Sequence, residues 1–156
     1  MQEKVISSQI WVCQPEELTA EDRQLIDQAI ASTEKSYSPY SHFRVGAAVR
    51  LANGEMISGC NQENAAFSVT VCAERTALFS AGCQYPDEPV CAIAIAARNA
   101  EGLLRSPITP CGSCRQAMIE TETRSHRPLR ILLYGTDYIY LIQGIKTLMP
   151  LSFDEF

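Results

Sequence analysis

Three cysteines and one glutamate, Cys72, Glu74, Cys111 and Cys114, are the residues of this chain whose types and spacing could do chemistry. Three thiolates can hold a Zn²⁺ ion and leave its fourth position open, whereas structural zinc sites close all four positions with protein ligands. Cys111 and Cys114 are three apart in the segment Pro110-Cys111-Gly112-Ser113-Cys114, so on a helix they share one face. Pro110 suits a helix start because its missing amide costs nothing there. Cys72 is expected at the start of a second helix, and at such ends the unpaired amides and the helix dipole favour the thiolate form that binds metal. Three thiolates on a divalent ion leave a net charge of about −1, which acidifies bound water poorly unless donors draw charge from the sulfurs. Arg75 is placed to be such a donor, and Glu74, two residues from Cys72, suits general acid/base work as a non-ligating carboxylate. The chemistry indicated is hydrolysis at an open zinc site.

Two competing readings use the same residues. A Cys-x-x-Cys pair at a strand-to-helix junction also fits a dithiol redox couple, although Cys72 and Glu74 are then superfluous. A closed structural zinc module needs a fourth ligand, and the chain has only two histidines, His42 and His126, which read as surface or turn residues. The remaining cysteines, Cys13, Cys60, Cys83 and Cys91, read as small buried hydrophobes.

The elements that must position these groups follow from periodicity and turn chemistry. Thr19 with Asp22 three residues on resembles a helix cap, and Leu25, Ile26, Ala29 and Ile30 recur at helical spacing, which predicts a helix over 20–35. Residues 43–51 and 56–60 read as a hairpin around the Asn53-Gly54 turn. The pattern over 70–81 is helical, with Gly82 as its stop, and the apolar run 90–97 suits a central strand. Residues 98–109 read as a polar loop, 112–122 as a helix, and 129–134 and 138–142 as two further strands. This order implies an α/β fold of three layers, with helices on both faces of a mixed five-stranded sheet.

Bulk properties narrow the function. A chain of 156 residues, 46% hydrophobic and 20% charged, fits one globular domain spanning 1–156, with 1–18 as an extension of unassigned role. The net charge of −5 and the absence of a dense basic run argue against a nucleic-acid partner. Residues 1–15 lack the pattern of a signal peptide, and the longest apolar run is too short to span a membrane. Seven cysteines without an export signal point to reduced thiols in the cytoplasm.

Several segments then carry a family resemblance. Phe43-Arg44-Val45-Gly46-Ala47-Ala48, Gly59-Cys60-Asn61-Gln62-Glu63-Asn64-Ala65, Cys72-Ala73-Glu74-Arg75-Thr76-Ala77 and Pro110-Cys111-Gly112-Ser113-Cys114-Arg115-Gln116 resemble the short, homotetrameric form of cytidine deaminase. Leu148-Met149-Pro150 followed by Phe153 resembles that family's C-terminal segment, and the likeness runs in the same order from 20 to 153. A zinc centre with a non-ligating glutamate and a Pro-Cys-x-x-Cys segment is shared by nucleobase deaminases generally. The resemblance implies hydrolytic deamination of cytidine and 2′-deoxycytidine to the uridine products and ammonia, with zinc-activated water attacking C4. It implies Cys72, Cys111 and Cys114 as metal ligands and Glu74 as the group that takes the water's proton, protonates N3 and assists the leaving amine. It further implies that Asn61 and Glu63 bind the ribose 3′-hydroxyl, that Phe43 packs on the nucleoside, and that Phe153 is contributed by a neighbouring subunit of a homotetramer. Phe67 stands where relatives often carry Tyr, so a hydroxyl contact is lost there. A related deaminase acting on a nucleoside antibiotic such as blasticidin S shares the zinc and glutamate motifs and is the nearest alternative; pyrimidine salvage is the expected setting for the nucleoside enzyme.

Overall fold

The computed structural model describes residues 1–154. Along the chain these form β1 (Trp11–Cys13), α1 (Ala20–Thr33), β2 (Arg44–Leu51), β3 (Met56–Cys60), α2 (Ala73–Gln84), β4 (Val90–Asn99), β5 (Gly102–Leu103), α3 (Gly112–Ser125), β6 (Arg130–Tyr134) and β7 (Ile139–Gln143). Short 3₁₀ turns lie at Pro15–Glu17, Phe67–Val69 and Ile145–Thr147. The sheet runs β1-β7-β6-β4-β2-β3, with β5 paired to the end of β4. Its β4–β6 pair is parallel and its other pairs are antiparallel, so the sheet is mixed.

The sheet has seven strands, not five. The two additional strands are too short to carry a period-2 pattern, and their partners create them. Trp11, Val12 and Cys13 pair with Leu141, Tyr140 and Ile139 on the otherwise open side of β7, so part of the N-terminal extension is an edge strand. β5 pairs Leu103 with Arg98 and Gly102 with Asn99. The reversal between them uses Asn99 Oδ1, which accepts from the Glu101 amide at 2.9 Å, and Gly102 at φ +120°. The expected polar loop over 98–109 thus begins with the end of a strand and a tight hairpin.

Alternation along β4 builds the layers. Ile93 and Ile95 face a core shared with Ala73, Ala77 and Leu78 of α2 and Met118 and Ile119 of α3. Ala92, Ala94 and Ala96 face a second core with Leu25, Ile26 and Ala29 of α1. Small residues let the helices approach the sheet closely. A Cβ on Gly46 would lie 2.1 Å from Ala29 O, and one on Gly59 would lie 2.4 Å from Ala77 N. These glycines therefore seat α1 on β2 and α2 on β3. A polar tie joins the layers: one oxygen of Asp22, a residue 1% exposed, accepts from both Arg130 Nε at 2.9 Å and Arg130 Nη2 at 2.7 Å, a charge-assisted link between α1 and β6.

Helix boundaries shift in ways that matter for the site. Thr19 Oγ1 accepts from the Asp22 amide at 3.1 Å and caps α1, which ends at Thr33. α2 starts at Ala73, because Val71 is held in extended backbone by reciprocal bonds with Gln62. It runs through Gly82 to Gln84 and stops ahead of Pro86, so Gly82 is not its terminus. α3 extends to Ser125, where His126 adopts a left-handed C-cap at φ +51°. His42, likewise at φ +56°, lies in the turn before β2.

Candidate active site

Two helix starts face one another. Cys72 is the N-cap of α2 and Cys111 the N-cap of α3, both in extended backbone, and neither spends its side chain on capping. Their carbonyls accept the first helical bonds, from Thr76 N at 3.0 Å and Arg115 N at 2.9 Å. Pro110 lies one residue before the cap, outside the first turn where it was expected, and so leads the chain into the cap. Cys114, one turn into α3, points the same way as Cys111 and is fully buried. The thiols of Cys72, Cys111 and Cys114 all lie within 4.8 Å of one another, and Cys72 Sγ is 3.8 Å from Cys111 Sγ. Sulfurs bound tetrahedrally to zinc at about 2.3 Å stand about 3.8 Å apart. The donor set therefore fits the ion in type, number and separation.

The other cysteines are dispersed, and their expected burial holds only for Cys13. Cys83 is exposed, and Cys60 and Cys91 are partly exposed. Burial pushes the Cys13 thiol up. In the cluster the opposite happens to Cys72, whose thiol is pulled down to about 5, first by its hydrogen bond with Cys114 and then by Arg75. Cys114 moves up as the donor of that pair and through burial. Arg75 Nη2 stands 3.7 Å from Cys72 Sγ, while its buried Nε has no hydrogen-bond partner among the described residues. The guanidinium thus lies against the Cys72 sulfur.

Glu74 occupies the second residue of α2 and is 4% exposed. Burial pushes its carboxyl up, and the adjoining Cys72 adds to the rise. A carboxyl shifted toward neutrality beside a metal-competent thiol cluster can both accept and return a proton.

The expected substrate residues are distributed differently. Asn61 follows β3 and spends its amide on the chain: Oδ1 accepts from Val45 N at 2.8 Å and Ser36 Oγ at 2.5 Å, and Nδ2 donates to Phe43 O at 3.0 Å. It thereby fixes the half-buried Phe43 at the entrance to β2. Glu63 accepts from the amides of Tyr40 at 2.8 Å and Ser41 at 3.2 Å and from the Ser41 hydroxyl, which holds its carboxyl below the usual glutamate range. Glu63, Tyr40, Ser41, Phe67 and Thr70 line a cavity of about 390 Å³, in which the Tyr40 and Phe67 rings meet edge to face at 5.8 Å. Phe153 is 68% exposed, and its carbonyl accepts from Gln116 Nε2 on α3 at 2.8 Å. The structure brings the three thiols, Glu74 and Arg75 together and links Asn61 to Phe43, while Glu63 is bound to the 40–41 turn. Ser41, Arg115 and Gln116 are contacts that the sequence reading did not assign. Arg115 and Gln116 stand within a quoted motif, but only tertiary partners reveal what they hold.

Residues 19–126 match the family model described as the cytidine and deoxycytidylate deaminase zinc-binding region. The chain is 48% identical over 100 residues to a cytidine deaminase of Halalkalibacterium halodurans, covering 64% of this chain and 71% of that protein. It is 43% identical over 97 residues to a cytidine deaminase of Sporosarcina psychrophila, covering 62% and 67% of the two chains. The crystal structure of a cytidine deaminase from Burkholderia pseudomallei superposes with a TM-score of 0.72 at 38% identity, over 87% of this chain and all of that one. With the thiol cluster, the buried glutamate and the matched region all in one place, the chain belongs to the cytidine and deoxycytidylate deaminase family.

Proposed function

We propose that this protein catalyses the zinc-dependent hydrolytic deamination of cytidine and 2′-deoxycytidine, giving uridine or 2′-deoxyuridine and ammonia. The observation that carries the reading is the buried Glu74 beside three thiols whose separation fits zinc. Cys72, Cys111 and Cys114 would hold the ion. Bound there, zinc supplies a Lewis acid that makes water nucleophilic near neutral pH.

The chain's own groups do the rest. Glu74 takes the proton from the attacking water, delivers it to N3 of the pyrimidine, and assists transfer of a proton to the departing amine. Overall one water is consumed, the C4–N bond breaks and a C4=O bond forms. Arg75 draws charge from the Cys72 sulfur, offsetting the excess that three thiolates bring. Phe43 packs against the nucleoside, with Asn61 holding its backbone. Glu63 offers a carboxylate already ordered by Tyr40 and Ser41, so little entropy is lost when it receives a sugar hydroxyl.

The protein acts as a homotetramer, in which Phe153 reaches a neighbour's pocket. In support, Phe67, Val69, Phe79, Leu151 and Phe153 are all exposed and apolar. A cytoplasmic place in pyrimidine salvage accords with seven free cysteines; among the described residues no helix is long and apolar enough to cross a membrane. The antibiotic-deaminase alternative is not favoured, since the relatives above carry the name cytidine deaminase.

The deciding experiment couples metal analysis to loss of cytidine absorbance, on the natural chain and on Glu74→Gln. A zinc-loaded natural chain that turns over cytidine, with an inactive Glu74→Gln that still holds zinc, is the expected result. A zinc-loaded natural chain that leaves cytidine untouched defeats the reading.

A further inference from the structure

Arg115 follows Cys114 directly, yet none of the chemistry described above uses it. Its Nε donates to Pro110 O at 2.8 Å and its Nη2 to Thr109 Oγ1 at 3.4 Å. Thr109 and Pro110 are the residues that lead into Cys111. Its Nη1 donates to Leu148 O at 2.7 Å, in the segment that continues to Phe153. One guanidinium therefore holds the entry to the thiol cluster with one edge and the C-terminal segment with another. A planar fork can span separate carbonyls in this way, whereas an ammonium is a single point.

The same helix grips that segment at two more places. Gln116 Nε2 donates to Phe153 O at 2.8 Å. Glu122 Oε1 accepts from the amides of Ile145 at 2.7 Å and Leu129 at 2.8 Å. α3 thus presents Cys111 and Cys114 at its start and carries residues 145–153 along its flank. Arg115 is bonded to both.

We propose that Arg115 is a positioning residue that sets the metal-ligand loop and the C-terminal segment as one unit, so that the placement of the Cys111 thiol and of Phe153 is fixed together. The proposal rests on the reading of the thiol cluster as a zinc site. If Arg115 served the fold alone, its loss would loosen the protein evenly; a positioning role predicts effects confined to the two segments it joins.

The test uses the zinc-loaded full chain and the variants Arg115→Lys and Arg115→Gln, so that failure of one to fold leaves the other. Zinc transfer to a competing chelator, amide hydrogen exchange resolved by segment, and the split of KM from kcat for cytidine are measured on each. Zinc transfer is expected to quicken by about tenfold or more in both variants. Exchange should rise over 109–111 and 145–153 while β4 and β6 amides keep their natural rates, and KM should rise more than kcat falls. Unchanged zinc transfer overturns the proposal, as does an exchange increase spread evenly through the sheet. A natural chain that binds zinc but does not deaminate cytidine sinks the functional reading alone, because the zinc-transfer and exchange measurements still decide Arg115. A chain that takes up no zinc sinks both.

Discussion

Cys72 Sγ and Cys111 Sγ stand 3.8 Å apart, although the two residues begin different helices and 38 residues lie between them in sequence. The proximity depends on where α2 and α3 are seated. Gly59 lets α2 lie directly on β3, and Met118 and Ile119 lock α3 into the same core as Ala73 and Ala77. Two positive helix ends therefore converge on one point, where they stabilise sulfur anions.

Glu74→Gln should abolish most turnover without disturbing the fold. General acid/base groups contribute about 10²–10⁴-fold, and kcat is expected to fall by that factor. The neutral amide suits a buried position, since it carries no charge to desolvate. Thermal unfolding should shift by less than about 4 °C, with zinc content unchanged by elemental analysis. A variant that loses zinc would show Glu74 to be a ligand instead.

Cys114→Ala removes a fully buried sulfur from the cluster. Removing an outer partner of a metal ligand costs about 10–100-fold in affinity, and loss of the ligand itself should cost more. Chelator competition on the variant should show that greater loss, with activity falling in parallel. In the natural chain, stripping the metal should abolish activity, and added zinc should restore it. Activity that persists without metal would favour the dithiol reading.

Asn61→Ala tests a group that braces the chain around Phe43. The substitution leaves the Val45 amide, the Ser36 hydroxyl and the Phe43 carbonyl without their partner. Unsatisfied groups cost about 1–3 kcal/mol, so the urea midpoint should fall accordingly. Stability equal to that of the natural chain would mean that these bonds are replaced by water at no net cost.

Glu63 gives a pH dependence of definite sign. The Ser41 hydroxyl, helped by the amides of Tyr40 and Ser41, lowers its pKa in the folded chain. A depressed carboxyl contributes stability that is full above the ordinary glutamate range and is lost as pH falls through the folded value. The natural chain should therefore lose more stability than Glu63→Gln as the pH is taken below the ordinary glutamate range. Parallel acid-denaturation curves for the two proteins would contradict this.

The β1 strand predicts a role for the N-terminal extension. Removing residues 1–13 uncovers the edge of β7, where Ile139, Tyr140 and Leu141 lose their partners. Open, apolar edges promote association, so the shortened protein should aggregate at lower temperature under light scattering. Equal aggregation temperatures would make β1 dispensable.

Much of this protein was determined by the sequence alone, because much of it is local. Helical spacing in α1, the Asn53-Gly54 hairpin, the apolar run of β4 and the Cys-x-x-Cys interval each depend on neighbours a few residues apart. Residue types alone also indicated a metal site with an acid beside it. The tertiary structure decided what depends on distant partners. It made strands of Trp11–Cys13 and Gly102–Leu103, which are too short to signal themselves. It carried α2 past Gly82, because a glycine ends a helix only when the backbone turns left-handed there. It also gave Arg115 its carbonyls and Glu63 its turn, since hydrogen bonds across the fold leave no period in the sequence. Local chemistry is written in spacing, whereas the groups that hold it in place are chosen by packing.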